Sequence, residues 1–315
     1  MEKTNKTFVS LSPFITELLA YWELTDNILG VSFKCDYPKE ILQKPKVTAS
    51  KELAPPTSQK DSLLATALCE DIVLINKLSQ LKPDIIFTSL EEFSPFERLA
   101  RLEALSLSEV GFEPHIYSAF PKYWEDILTI WKEIGKVAGV PMRGKDLADK
   151  IKAQLFDWID NLYDRLKNKK VAVISKVSNN CLQAAGWWFS DLCRLSSTSY
   201  ILPLGTPDKE ISLDDLAAFR PDVLIIASRE DPFKAVLKEV FSLTTNEKWE
   251  NMPAAKKGAV FLLPETSFFY RPSQRLLQGL SVFISCLAGF DSGYIAPRDS
   301  FHRLRYIELH REKFL

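Results

Sequence analysis

Residues 78–89 read LSQLKPDIIFTS and residues 216–227 read LAAFRPDVLIIA, and the two align without a gap at an offset of 138 residues. In each, a helix-like segment ends at a basic residue, Pro-Asp follows, and a short apolar run comes next. Lys82, Pro83 and Asp84 match Arg220, Pro221 and Asp222; Ile85, Ile86 and Phe87 match Val223, Leu224 and Ile225. Proline stops a helix, and a continuous β-branched run suits a strand covered on both faces. One such match is weak, but its presence in each half of the chain predicts two lobes of the same design.

The surrounding sequence fits that scheme. Apolar runs at 8–10, 28–31, 171–175 and 259–263 read as strands, and amphipathic segments at 15–22 and 124–137 read as helices. The alternation predicts an α/β fold of two Rossmann-like lobes with parallel sheets and helical crossovers. Residues 122–167 are helical in pattern throughout, with a break at Gly139, Val140 and Pro141. Beyond the break, Leu147, Ile151, Leu155, Trp158, Leu162 and Leu166 recur at spacings of three and four. They place one apolar stripe on a connecting helix over 144–167, roughly 24 residues or about 36 Å long. The alternative is a surface helix of one larger domain. A helical connector is stiffer than loop strands, so limited closure on binding is expected. The expected divisions are 1–121 and 169–290 for the lobes, 122–168 for the connector, and 291–315 for an appended tail helix outside either sheet.

Composition bounds the function. The chain has 315 residues, 46% hydrophobic and 26% charged, enough for sizeable cores. Its 40 basic and 41 acidic residues nearly cancel, so no global field favours nucleic acid or an anionic membrane as a partner. Cys35, Cys69, Cys181, Cys193 and Cys286 are odd in number and scattered, which argues against a disulfide framework or a zinc or iron–sulfur site and for isolated buried thiols. No apolar run approaches the ~20 residues of a membrane span. The opening MEKTNKTFVSLSP lacks the apolar core of a signal peptide. The expectation for the chain as written is therefore cytoplasmic, or periplasmic or surface-anchored if the true start lies further upstream.

Several segments resemble one known family. Residues 9–38, VSLSPFITELLAYWELTDNILGVSFKCDYP, are similar to the opening of periplasmic binding proteins for cobalamin, haem and ferric siderophores. The likeness is nearest to a cobalamin-binding subgroup, in which C-D-Y-P follows the second strand. KPDIIFTS, IGKVAGVP, AAGWWFSDL, RPDVLIIA and YRPSQRLLQGL continue the resemblance in order to about residue 290. Residues 88–96, TSLEEFSPF, lack the cysteine-containing stretch of that subgroup. The resemblance implies a two-lobed binding protein with a helical backbone, holding cobalamin or another corrinoid, haem or a ferric siderophore in the interlobe cleft. It implies no catalytic residue and no catalytic cofactor, and the Asp and Glu residues show no metal-ligand spacing. Delivery to an ABC importer would use an exposed acidic residue on each lobe, with Glu91 or Glu92 and Glu230 or Glu239 as candidates. A monomer is expected.

In open parallel sheets, ligands sit beyond the carboxyl ends of the strands. That rule selects the loops 10–13, 33–37, 89–93, 175–180, 228–231 and 266–271. The candidate ligand-binding residues are Ser12, Pro13, Cys35, Tyr37, Phe93, Trp187, Trp188, Phe268, Tyr270 and Arg271, with Phe269 alongside. Aromatic faces suit a large flat macrocycle because they offer area with few rotamers to freeze. Each aromatic can equally be core. Successive helical residues diverge by about 100°, so one of Trp187 and Trp188 is expected to pack inward. Arg271 precedes Pro272, which is expected in the first turn of a helix; there Arg271 either meets an anionic ligand edge or pairs with Glu265.

Evidence for catalysis is thin. His115, His302 and His310 are the only histidines, and there is no nucleophile elbow, P-loop or dinucleotide fingerprint. His115 reads as structural, and is the one imidazole outside the tail able to ligate cobalt or haem iron. The competing function is a two-lobed enzyme such as a sugar-nucleotide transferase. It would need glycine-rich phosphate loops, and the 11 glycines do not cluster.

Overall fold

The structure is a computed structural model and describes residues 2–50, 71–89, 114–178, 181–229, 231–289, 296–297 and 299–314. The chain divides into two compact units. The first comprises Met1–Phe120 and Leu128–Asp149, and the second Pro121–Ile127 and Lys150–Leu315.

The first unit is built on four parallel strands, β1 (Phe8–Ser10), β2 (Ile28–Val31), β5 (Ile85–Thr88) and β6 (His115–Ser118), in the order β2-β1-β5-β6. A short antiparallel pair, β3 (Thr48–Ala49) and β4 (Ile72–Val73), lies off this sheet. Phe8 and Phe87 meet edge to face with ring centroids 5.6 Å apart, and Ile15, Leu18 and Leu19 are fully buried on the helix Pro13–Tyr21. The helix Ile75–Leu81 ends at Lys82, which takes the left-handed conformation (φ 44°, ψ 58°). That residue turns the chain, and Pro83 prevents the helix from resuming. Asp84 then accepts hydrogen bonds from the Thr7 backbone N–H (2.7 Å) and hydroxyl (2.8 Å), fixing where β1 starts beside β5.

The second unit repeats this corner. The helix Leu213–Phe219 ends at left-handed Arg220 (φ 56°, ψ 62°), Pro221 follows, and Asp222 accepts from the Lys170 backbone N–H at 3.1 Å. Lys170 opens β7 (Lys170–Ser178), which pairs in parallel with β11 (Val223–Ile226). β12 (Val260–Leu262) and β9 (Ser199–Tyr200) extend the parallel core. The sheet is mixed rather than purely parallel: β8 (Cys181–Ala184) folds back antiparallel on β7 and carries β10 (Lys209–Ile211). The tail differs from expectation. It supplies β13 (His302–Arg303), antiparallel to β12, as well as the helices Leu304–Leu309 and Arg311–Phe314. Pairing covers an edge of β12 that would otherwise leave backbone groups open.

Two helices connect the sheets in sequence, Trp124–Ala138 and the 26-residue Pro141–Leu166, which at 1.5 Å per residue is about 39 Å long. Gly139 (φ 86°) closes the first, and the Glu2 carboxylate accepts the Met142 and Arg143 backbone N–H groups (3.2 and 3.3 Å) at the start of the second. Their close approach requires Gly144, where a Cβ would lie 2.4 Å from the Trp131 carbonyl oxygen. The buried stripe of the long helix runs through Leu147, Ile151, Leu155, Ile159 and Leu166; Trp158 and Leu162 are only half-buried. Among the described residues no helix is long and apolar enough to cross a membrane.

Candidate functional site

At the carboxyl edge of the first sheet, β1 runs into Ser12 and Pro13, and β2 into residues 32–37. Ser12 is buried and Pro13 opens the helix Pro13–Tyr21. The Thr16 hydroxyl lies 2.8 Å from Ser10 Oγ, 3.0 Å from the Ser12 carbonyl oxygen and 3.2 Å from Cys35 Sγ. Cys35 is thereby turned inward, 1% exposed, and ties the second loop to the first. The same loop is pinned from below, where the Phe33 N–H donates to Thr48 Oγ1 at 3.0 Å and Thr48 Oγ1 donates to Ser32 Oγ at 3.0 Å. Phe33 and Tyr37 (42% exposed) are left presenting rings to solvent. Phe33 lies in a loop that the strand-end rule selects, but no motif marks it. Its signal is alternation about Ser32, which turns the next residue outward. Phe93, Glu91, Glu92 and Glu230 lie outside the described residues. Glu239 is half-buried on the helix Phe233–Thr244.

The carboxyl edge of the second sheet is organised by Asp208. Its carboxylate accepts from the Gly186 N–H at 2.7 Å and from Arg229 at 3.2 Å, and Ser175 Oγ lies 3.5 Å away. Arg229 stacks over the Tyr270 ring at 4.3 Å, and the Tyr270 hydroxyl donates to the Ala227 carbonyl at 2.6 Å. Burial pushes the Tyr270 phenol well up from its usual range, against the opposing pull of Arg229, so it stays protonated and serves as a donor. Gly186 is packed so tightly on the neighbouring loop that a Cβ would come within 2.2 Å of the Pro207 carbonyl carbon. Arg229 and Asp208 carry no motif; only the strand-end rule reaches Arg229, and nothing in the sequence announces Asp208.

The tryptophans divide. Trp188 (6% exposed) opens the helix Trp188–Leu195 and stacks on Phe189, which also meets Phe269, Tyr270 and Phe283 with centroids 5.1–6.5 Å apart. Phe268, 1% exposed, is buried too. Trp187 precedes the helix, half-exposed, with φ 57° and ψ −127°, a backbone region that costs any residue with a Cβ of order 1–3 kcal/mol. The separation therefore comes from a backbone turn and not from helical rotation. Arg271 is extended and half-buried, and the helix Leu276–Ala288 begins beyond it, so it does not stand at a helix start. The Glu265 carboxylate is met at 2.6 Å by Arg275.

His115 sits at the opposite edge of the first sheet, paired with Ile85 at the amino end of β5. It is exposed and lines a groove of about 1080 Å³ with Lys6, Asp84, Tyr117, Glu133 and Lys136. Among the described residues, no three His, Cys, Asp or Glu side chains form a group able to hold a metal ion.

The chain belongs to the periplasmic binding protein family, whose model matches residues 8–266, and it is accordingly a substrate-binding protein. The periplasmic vitamin B12 binding protein BtuF of Vibrio cholerae is 20% identical, with a TM-score of 0.62 over 90% of this chain and 96% of that one. The periplasmic heme-binding protein RhuT from Roseiflexus sp. RS-1 is 18% identical, with a TM-score of 0.64 over 90% and 98%. An ABC transporter substrate-binding protein from Listeria monocytogenes is 17% identical, with a TM-score of 0.62 over 90% and 99%. At such identities these likenesses establish the fold. No curated protein matches the sequence.

Proposed function

We propose that this protein binds a bulky tetrapyrrole-sized ligand, cobalamin or another corrinoid first among the choices, at the carboxyl edges of its sheets. It does so without chemistry, as the extracytoplasmic ligand carrier of an ABC importer. Haem and ferric siderophores are the competing ligands. The observation that carries the reading is the contrast within each edge. Thiol, hydroxyl and buried aromatic groups are consumed in holding the loops, while Phe33, Tyr37 and Trp187 keep ring surface outside. Aromatic surface left open in this way supplies affinity to a flat ligand at small entropic cost. Support also comes from the family assignment over residues 8–266 and from structures of the same fold whose names give B12, heme and ABC transport.

The test is direct. The purified protein is titrated with cyanocobalamin, haemin and a ferric siderophore, followed by absorbance and calorimetry. Saturable one-to-one binding of the corrinoid is expected; binding of none of the three would overturn the reading.

A further inference from the structure

The residues just before the connecting helix lie against the same face as Trp187. The Lys122 and Tyr123 backbone N–H groups both donate to Asp126 Oδ2 (3.0 and 2.9 Å), and the Trp124 N–H donates to Asp191 Oδ2 at 3.0 Å. Asp191 is 4% exposed and held by Arg194 at 2.8 Å. Two carboxylates thus occupy the amino end of the helix and take the backbone N–H groups of Lys122, Tyr123 and Trp124.

The side chains point to a different use. Lys122 Nζ lies 5.3 Å from the centre of the Trp187 ring and the lysine is exposed. Tyr123 is exposed and rests against Gly205, where a Cβ would come within 2.5 Å of the phenol oxygen. The adjoining Thr206 carbonyl accepts the Trp187 N–H at 2.8 Å, and Leu204 next to it is exposed. Trp187 is held in its strained backbone by this hydrogen bond and by the packing of Gly186. A strained, half-exposed tryptophan with a cation over its face is the type of arrangement that function, and not packing, maintains.

We infer that Lys122 and Tyr123 belong to the ligand site. Tyr123 and Leu204 extend the Trp187 platform, and the Lys122 ammonium pairs with an oxyanion on the edge of a flat macrocycle lying on it. This inference rests on the ligand class proposed above and adds its chemistry: the preferred ligand carries an anionic edge group. Either a phosphodiester, as in cobalamin, or a carboxylate, as in haem, supplies that oxyanion.

Altering the ligand tests this on the unaltered protein. Cobinamide lacks the phosphodiester of cobalamin, and haemin dimethyl ester lacks the free carboxylates of haemin. For whichever pair binds, the oxyanion-bearing member is expected to be held about tenfold more tightly, equivalent to roughly 1.4 kcal/mol, with a preference that shrinks as salt rises. Lys122→Met, at an exposed position, is expected to remove the preference and its salt dependence while leaving the melting temperature unchanged; Lys122→Arg is expected to restore them. Equal binding of both members, or a preference that survives Lys122→Met, overturns the inference while the proposed function stands. Failure of the unaltered protein to bind any of the four overturns both.

Discussion

The two units are alike at one edge of their sheets and different at the other. At the amino edge, Asp84 and Asp222 each follow a left-handed basic residue and a proline, and each receives the backbone N–H at the start of the neighbouring strand. At the carboxyl edge, the first unit holds its loops with Ser10, Thr16 and Cys35, whereas the second uses Phe189, Phe269, Phe283 and the Asp208–Arg229 pair. The amino corner sets strand register, which both units need in the same form. The carboxyl edge carries the loops proposed to meet the ligand, and there the requirement is local, so the repeat has dissolved.

The largest effects should come from the divergent edges. Phe189 is 2% exposed and touches Trp188 and three further aromatic rings, so Phe189→Ala should cost about 3–5 kcal/mol through the cavity it leaves. Cys35→Ala removes a smaller side chain and its weak contacts with the Thr16 hydroxyl and the Ser10 carbonyl, and should cost nearer 1–2 kcal/mol. Urea unfolding followed by circular dichroism measures both. Comparable losses would mean that the first edge depends on its thiol as heavily as the second depends on its rings.

A sharper contrast lies within the second edge. Trp188→Ala should lower stability by about 3 kcal/mol or more. Trp187→Ala should leave stability within about 1 kcal/mol, because its ring is half outside and its backbone is strained. In ligand titrations the order should reverse, with Trp187→Ala weakening binding by about thirtyfold, roughly 2 kcal/mol. A stable Trp188→Ala protein would show that the aromatic cluster is not core.

The repeated corner predicts equal and smaller effects. Removing either carboxylate, by Asp84→Ala or Asp222→Ala, should cost about 1–2 kcal/mol, since each deletes hydrogen bonds to a charged group. Both carboxyls are held below the usual aspartate range, Asp84 by the Thr7 backbone and hydroxyl, and Asp222 because the Lys170 N–H and the Lys257 ammonium outweigh a burial effect of opposite sign. A folded-state pKa below the unfolded value of about 3.9 means stability that is present above that pH and lost as the pH falls through the folded value. The double variant should therefore lose less stability than the natural protein on acidification below about pH 4. An unaltered acid profile would remove this role for the pair.

Much of the architecture was legible because it is periodic or punctuated. The two Pro-Asp corners, the strand runs and the break at Gly139 and Pro141 all depend on local chemistry that one sequence displays. The antiparallel strands β8, β10 and β13 were not legible, being short segments whose direction is set by their neighbours in space. At the candidate site, the sequence marked loops by their place at strand ends but not which way their side chains point. Cys35, Trp188 and Phe268 face inward while Phe33 and Trp187 do not; Cys35, Phe33 and Trp187 are held by hydrogen bonds with Thr16, Thr48 and Thr206, which are distant in sequence.

The smallest expected effect tests the equivalence of the two units most strictly. Lys82 and Arg220 are exposed residues at φ 44° and 56°, closing their helices in a conformation that burdens a side chain by roughly 1 kcal/mol and glycine not at all. Glycine is also the residue with most freedom to lose from the unfolded chain, which returns part of that gain. Lys82→Gly and Arg220→Gly should each therefore raise stability by about 0.5 kcal/mol, and together by about twice that, because sites without shared partners add. Thermal melts of the two single variants and the double variant measure this against the natural protein. A gain at one corner and a loss at the other would show that one basic side chain supports its unit in a way the other does not, and the two corners would then be alike in backbone only.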